Sequence, residues 1–305
     1  MDDSIFHKGE IKVQKMAGEE KLAKRVGRVI QESIMPGAMD FMTKQSFVVV
    51  LSIGMDGMVW ASVLFGKEGF IQVQGTKTFS IHLDKLQSSS SDIFFKNITH
   101  NPTIGTLFID HGLRIRYRVN GSIQQNGQLL SVHVEEAYGN CPKYIQAAMF
   151  SAPNSVLEAP KILEGVHLKA KQLDIITHAH TFYLATTNKK GRMDASHRGG
   201  NTGFIQVMDG SMLRIPDYPG NSMFNSLGNI YENPNTGLTF IDYMGGETLQ
   251  LSGKAELLFD QKDPGLLKHS GNTGRYWLFK PEKWISIENH HSISYKFLDF
   301  SPYNY

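Results

Sequence analysis

The chain repeats itself at the length of a whole domain. The string GFIQV stands at Gly69–Val73 and again at Gly203–Val207, an offset of 203 − 69 = 134. An Ala-Ser pair precedes each copy at the same offset, Ala61-Ser62 and Ala195-Ser196. Further on, NPTIGTLFID (Asn101–Asp110) returns as NPNTGLTFID (Asn233–Asp242), offset 233 − 101 = 132, and Gly121 and Gly253 keep that second offset. A period this long exceeds a solenoid unit and matches a small domain. The 305 residues accommodate two such units at about 150 each. Two copies of one fold in a single chain can pack as a dimer does, about a pseudo-two-fold axis.

Strand signals dominate each copy. In the first, Ser46–Ile53 is dense in β-branched residues, Gly54–Gly57 reads as a turn, and Met58–Leu64 and Gly69–Val73 follow as strands. The second copy answers with Thr181–Thr187, a turn at Asn188–Gly191, then Arg192–Arg198 and Gly203–Met208. Each copy then opens a short helix from a polar stretch, within Ser88–Ile98 and Pro219–Ile230. Two more strands close each unit: Gly105–Asp110 with Arg114–Ile123, and Gly237–Tyr243 with Thr248–Phe259. Close antiparallel strands with one helix per repeat predict a mainly β (α+β) fold of two small barrels, not a parallel α/β sheet. Glu19–Ile34 has helical spacing and is expected to stop at Pro36-Gly37. Ser151–Gly165 reads as the linker, and Leu168–His178 as a helix re-entering the second unit. The expected organisation is an extension over 1–39, which wraps the second unit or the interface, and barrels over 40–150 and 165–305.

A net charge of +2 argues against nucleic acid as a partner. No apolar run approaches the ~18 residues of a membrane span, and the first residues lack an apolar targeting core. A single cysteine, Cys141, allows no intrachain disulfide. A cytoplasmic protein is therefore expected, with Cys141 as a packed small residue. His178, His180, His290 and His291 lack metal-ligand spacing, so no metal site is expected.

The polar residues concentrate in the second copy. Asp194-Ala195-Ser196-His197-Arg198-Gly199-Gly200-Asn201 corresponds to the largely apolar Trp60–Lys67. Glycines allow close backbone approach, and Ser and Arg supply donors to an anion. The run Ile215–Ser226 leads from a strand into a helix N-terminus, where free N–H groups and the helix dipole favour phosphate. Asn221, Ser222, Asn225 and Ser226 add side-chain donors there. From the first copy, Arg114, Arg116 and Arg118 alternate and so share one strand face, while Asn140–Tyr144 reads as a helix start.

Together, DASHRGGNTGF (Asp194–Phe204), RIPDYPGNSMFNSLGN (Arg214–Asn229), NPNTGLTFID, TLQLSG (Thr248–Gly253) and the closing SPYNY resemble the pyridoxamine 5'-phosphate oxidase-like, FMN-binding split-barrel proteins. VWASVLFGKEGF, RVNG and EEAYGNCPKYIQ resemble the first half of tandem members. The resemblance implies two tandem six-stranded antiparallel split barrels forming an intramolecular pseudo-dimer, with FMN at the interface between halves. It implies cofactor contacts from Ser196, His197, Arg198, Gly199, Gly200, Asn201, Pro216, Asp217, Tyr218, Asn221, Ser222, Asn225, Ser226 and Gln250, with Arg116 and Arg118 from the first copy. The family's bracketing Arg and Lys and its phosphate-loop Arg-Lys pair are replaced by Ser196, Asn201 and Asn225-Ser226, so vitamin B6 oxidation itself is not expected.

The expected function is an FMN-dependent oxidoreductase passing electrons from NADH, NADPH or another reductant to an unidentified small molecule. The alternative is a non-catalytic flavin-binding or storage module, or the partner of a separate reductase. A third option, haem handling, has no clearly placed histidine to support it. One flavin per chain is expected, because Val63-Leu64-Phe65 replaces His197-Arg198-Gly199. Arg198 is expected to contribute most to affinity, as the one permanent charge at that strand end.

Overall fold

The computed structural model describes residues 4–151 and 159–305. The chain begins with α1 (Lys8–Ala17), α2 (Glu20–Val26) and α3 (Pro36–Thr43). The first sheet is built from β1 (Phe47–Ile53), β2 (Val59–Phe65), β3 (Ile71–Val73) and β4 (Thr78–His82), then, after α4 (Ile93–Ile98), β5 (Thr103–Asp110), β6 (Ile115–Asn126) and β7 (Leu129–Gly139). The strands β8 (Ala147–Ser151) and β9 (Lys161–Gly165) and helix α5 (Ala170–His178) lead into the second half. There β10 (Thr181–Thr187), β11 (Met193–Gly199), β12 (Gln206–Val207) and β13 (Leu213–Pro216) precede α6 (Asn225–Glu232). The chain then runs through β14 (Asn235–Asp242), β15 (Glu247–Leu258), α7 (Pro264–His269), β16 (Tyr276–Glu288) and β17 (Ser294–Asp299).

Two antiparallel sheets result, and they repeat one topology. The first runs β2-β1-β5-β6-β7-β4-β3 and the second β11-β10-β14-β15-β16-β13-β12, with β9 added alongside β16. The expectation of six strands per half is corrected to a seven-stranded and an eight-stranded sheet. A separate two-stranded sheet pairs β17 with β8, tying the end of the chain to the first half. The repeated glycines now have a cause. The register slips at Asn120/Gly121 and again at Ser252/Gly253. A Cβ on Gly121 would lie 1.9 Å from the His133 carbonyl oxygen, and one on Gly253 2.1 Å from that of Lys280. Each glycine lets a bulge bend its long strand over the sheet.

The continuous apolar runs reflect strands buried on both faces. Val48 and Val50 point into the first half's own core, while Phe47, Val49 and Leu51 enter an apolar layer between the halves. Phe182 and Leu184 likewise face the second core, and Tyr183 and Ala185 the shared layer. Side chains alternate across a strand, so a sheet wedged between two cores has no polar face.

Several local expectations are corrected. The helix expected over Glu19–Ile34 ends at Val26 and passes through a single 3-10 turn, Gly27–Val29. Pro36 starts a helix, since its missing N–H is no loss in a first turn. Part of the expected linker is strand β9, and residues 152–158 lie outside the described ones. Asn140–Tyr144 forms turns before β8, with Tyr144 at φ 67°. Arg114 precedes β6 in a turn at φ 54°, so only Arg116 and Arg118 share the strand face. The strands expected over Gly69–Val73 and Gly203–Met208 shrink to β3 and β12. Among the described residues no helix is long and apolar enough to cross a membrane.

The bulges give a direct test. Gly121→Ala and Gly253→Ala should each destabilise the fold by about 1–3 kcal/mol through forced backbone shifts. Gly37→Ala, in a helix with open space around it, should be neutral or slightly stabilising. Urea unfolding of the three variants decides this; equal midpoints would contradict the bulge argument.

Candidate functional site

A cleft open to solvent lies where the second half meets the first. One wall is β11. Along it Asp194, Ser196 and Arg198 alternate with Ala195, His197 and Gly199, so the two sets point to opposite faces. The floor is the loop Asp217–Phe224 and the start of α6, and the opposite wall comes from β6 and Asn140–Tyr144 of the first half.

A buried cross-half junction anchors the site. Arg118 donates to the Ala195 carbonyl, to Ser196 Oγ and to Tyr138 Oη, and its guanidinium lies 2.8 Å from Asp194. Ser226 Oγ lies 2.8 Å from both Asp194 and Ser196. The junction has a counterpart at 250 − 118 = 132. Gln250 donates to the Ala61 carbonyl, to Ser62 Oγ and to Asp92. Each half thus reaches into the other's Ala-Ser pair, the reciprocal pattern of a two-fold interface.

The two ends of this interface differ chemically. In the first half, Asp92 is buried at the start of α4, accepting from the Phe94 N–H and from Ser62. Burial raises its pKa to about 6. Val63, Leu64 and Phe65 beside it are fully buried. The position corresponding to Asp92, at 224 − 92 = 132, is Phe224, which supplies no side-chain cap to α6. The first N–H groups of α6 are therefore left for water or a ligand.

Two arginines line the same cleft as this helix start. Arg116 donates to the Cys141 carbonyl, the His197 carbonyl and His197 Nδ1, and Arg198 to the His197 carbonyl. Among the described residues neither meets a carboxylate. Burial, then the charges of Arg118 and Arg198, lower the Arg116 pKa to about 9. Burial and then the Arg116 charge hold His197 well below the ordinary histidine range, so it is neutral. Because arginine only donates, Nδ1 of His197 accepts and Nε2 carries the proton. That Nε2 is buried without a partner, as is the Tyr218 hydroxyl. At the other end Tyr144, Tyr218 and Tyr305 form an aromatic cluster, with Tyr144 and Tyr218 rings 5.0 Å apart.

Of the residues expected at the site, Ser196, His197, Arg198, Gly199, Asp217, Tyr218, Asn221, Ser222, Asn225, Ser226, Arg116 and Arg118 line the cleft. Gly200, Asn201, Pro216 and Gln250 do not. Asn201 is held by Asn304 and the Tyr305 carbonyl, and Gln250 serves the first half's end of the interface. Ser196 and Ser226 are engaged with Asp194, so their hydroxyls are already committed. Lys143 and Tyr144 also line the cleft; they lie in the EEAYGNCPKYIQ run but are not among the residues expected to contact the cofactor.

Residues 168–282 match the family model described as pyridoxamine 5'-phosphate oxidase. The C-terminal half is thus a pyridoxamine 5'-phosphate oxidase-like split-barrel domain, and the N-terminal half a second antiparallel β-sheet domain. Solved structures with partial similarity include a putative pyridoxamine 5'-phosphate oxidase from Lactobacillus delbrueckii, 17% identical, covering 39% of this chain and 93% of that one at a TM-score of 0.32. An FAD-binding protein from Mesorhizobium loti is 15% identical, covering 43% and 99% at 0.30. A heme storage protein from Vibrio cholerae is 12% identical, covering 41% and 97% at 0.30. No curated protein matches the chain.

Two predictions follow from the junction and its surroundings. Arg118→Ala leaves Asp194 buried and without its cation and should cost about 3–5 kcal/mol; Gln250→Ala removes hydrogen bonds from an uncharged amide and should cost about 1–3 kcal/mol. Chemical unfolding that ranks them in reverse would refute the assignment. Glu10, buried against Asn225, has its pKa raised by burial from 4.5 to about 8. A raised folded-state pKa gives stability that is complete below 4.5 and lost as pH rises through about 8. Relative to Glu10→Gln, the parent's melting temperature should therefore fall over that interval; a constant difference would mean Glu10 is ionised in the fold.

Proposed function

We propose that the cleft binds FMN and that the protein is a flavoprotein oxidoreductase. The carrying observation is that Arg116 and Arg198, neither meeting a carboxylate among the described residues, line the same cleft as the uncapped start of α6. Fixed positive charge and oriented N–H groups suit a phosphate. The tyrosine cluster and the two orphaned donors, His197 Nε2 and Tyr218 Oη, suit a planar ring bearing acceptors. The neutral His197 has its Nδ1 lone pair occupied by Arg116, which favours a flavin over haem iron. In the first half Asp92 holds a carboxyl where the phosphate would lie, which supports one flavin per chain.

A bound flavin supplies electron transfer between a donor such as NADH or NADPH and a small-molecule acceptor. The protein's residues bind and orient it: Arg116 and Arg198 hold the phosphate, while Tyr144 and Tyr218 shield the ring from water. Titration with FMN, followed by flavin fluorescence, should show one equivalent bound per chain. Arg116→Ala and Arg198→Ala should each weaken binding about tenfold to a hundredfold, the loss of a charge-assisted contact. Absence of binding refutes the cofactor, and two equivalents refute the asymmetry. Anaerobic addition of NADH or NADPH should bleach the flavin; flavin that stays oxidised with both makes the protein a binding module or a reductase's partner.

A further inference from the structure

The cofactor loop holds an unusual backbone that the duplicated fold does not itself secure. Ser222 and Phe224 both lie in the left-handed region, at φ 62° and 59°. Side chains larger than glycine's adopt that conformation only when surroundings enforce it. The enforcing groups come from the N-terminal extension. Gln14 Nε2 donates to the Met223 carbonyl, 3.0 Å away, between the two left-handed residues. The Glu19 carboxylate accepts from Ser222 Oγ and from Arg275, and Arg275 donates in turn to Asp217 at 2.9 Å. Glu19 thereby ties the beginning of the loop to its end. Glu10 accepts from Asn225 in the first turn of α6. Val13 packs with Phe224 and Leu227, and the Arg275 guanidinium lies over the Phe224 ring.

The corresponding stretch of the first half needs no such support. Asp92 caps α4 with its own side chain, and no residue from 84 to 98 has a positive φ. The part of the extension from Glu10 to Glu19 therefore serves the helix start at the open cleft.

We propose that the extension is a clasp on the loop 217–225, with Glu19 as its principal positioning residue. The clasp sets the cleft's affinity for the phosphate end of its ligand. This rests on the flavin reading above. A clasp on the phosphate loop acts on FMN and spares riboflavin, which has the same ring and no phosphate. A general loss of packing weakens both.

The test uses Glu19→Ala, Glu19→Gln and Gln14→Ala in the full-length chain. FMN and riboflavin affinities are read by fluorescence, and amide hydrogen exchange is followed without ligand. Glu19→Ala should weaken FMN binding roughly tenfold or more, the loss of charge-assisted contacts, and leave riboflavin affinity near the parent's. Exchange over 217–225 should rise while that over 88–98 stays as in the parent. Glu19→Gln keeps an oxygen acceptor and should recover much of the loss. Equal weakening of both flavins, or unchanged exchange over 217–225, overturns the proposal. If the parent binds neither flavin, the flavin reading fails, and the exchange difference alone decides whether the clasp exists. Should Glu19→Ala fail to fold, Gln14→Ala carries the same comparison.

Discussion

The architecture depends on one buried cross-half contact, made twice in different chemistry. Arg118 and Gln250 occupy corresponding positions on the long bulged strands, and each enters the opposite half to satisfy an Ala-Ser backbone. Around them β1 and β10 have apolar side chains on both faces, because each is sandwiched between its own core and the shared layer. Removing either half would expose one full face of these strands. Burial of that apolar surface is the main force holding the halves together. The polar pair within it fixes the register, because a buried donor set has few ways to be satisfied.

The duplicated frame then diverges at its two equivalent ends. In the first half a carboxyl, Asp92, takes the N–H groups at the helix start, and Val63, Leu64 and Phe65 close the space. In the second half the same position is Phe224, the helix start is uncapped, and Arg116 and Arg198 line the cleft it opens on. A helix N-terminus attracts negative charge in either case. One end supplies that charge from the chain itself, and the other leaves it to a ligand. The extension adds to this asymmetry, since it packs on the open end alone of the two helix starts.

Much of this was legible in the sequence. The repeat with its two offsets, the strand pairs, the concentration of polar residues at Asp194–Asn201 and the helix after Pro219 all come from local pattern, which periodicity and turn residues carry directly. Other features were not legible, for a physical reason in each case. Asn201 and Gln250 have the right residue types, yet one is tied to the chain's end and the other faces the opposite half. Ser196 and Ser226 look like phosphate donors, but Asp194 takes their hydroxyls. Lys143 and Tyr144 reach the cleft through a turn whose course depends on β8 pairing with β17, more than a hundred residues away in the chain.

The sequence by itself determined that there are two copies of one β-rich unit, where their strands run, and which copy carries the polar residues. Those properties follow from spacing along the chain, which local sterics and side-chain alternation translate into structure. Only the tertiary structure decided which polar groups remain free to meet a ligand. Freedom is a matter of what a donor already bonds, and decisive partners of Arg118, Glu19 and Gln250 lie far away in the chain. Among the described residues Arg116 and Arg198 line the cleft with no carboxylate beside them, whereas Arg118 in the same cleft is paired with Asp194, a property of the folded arrangement that no motif encodes.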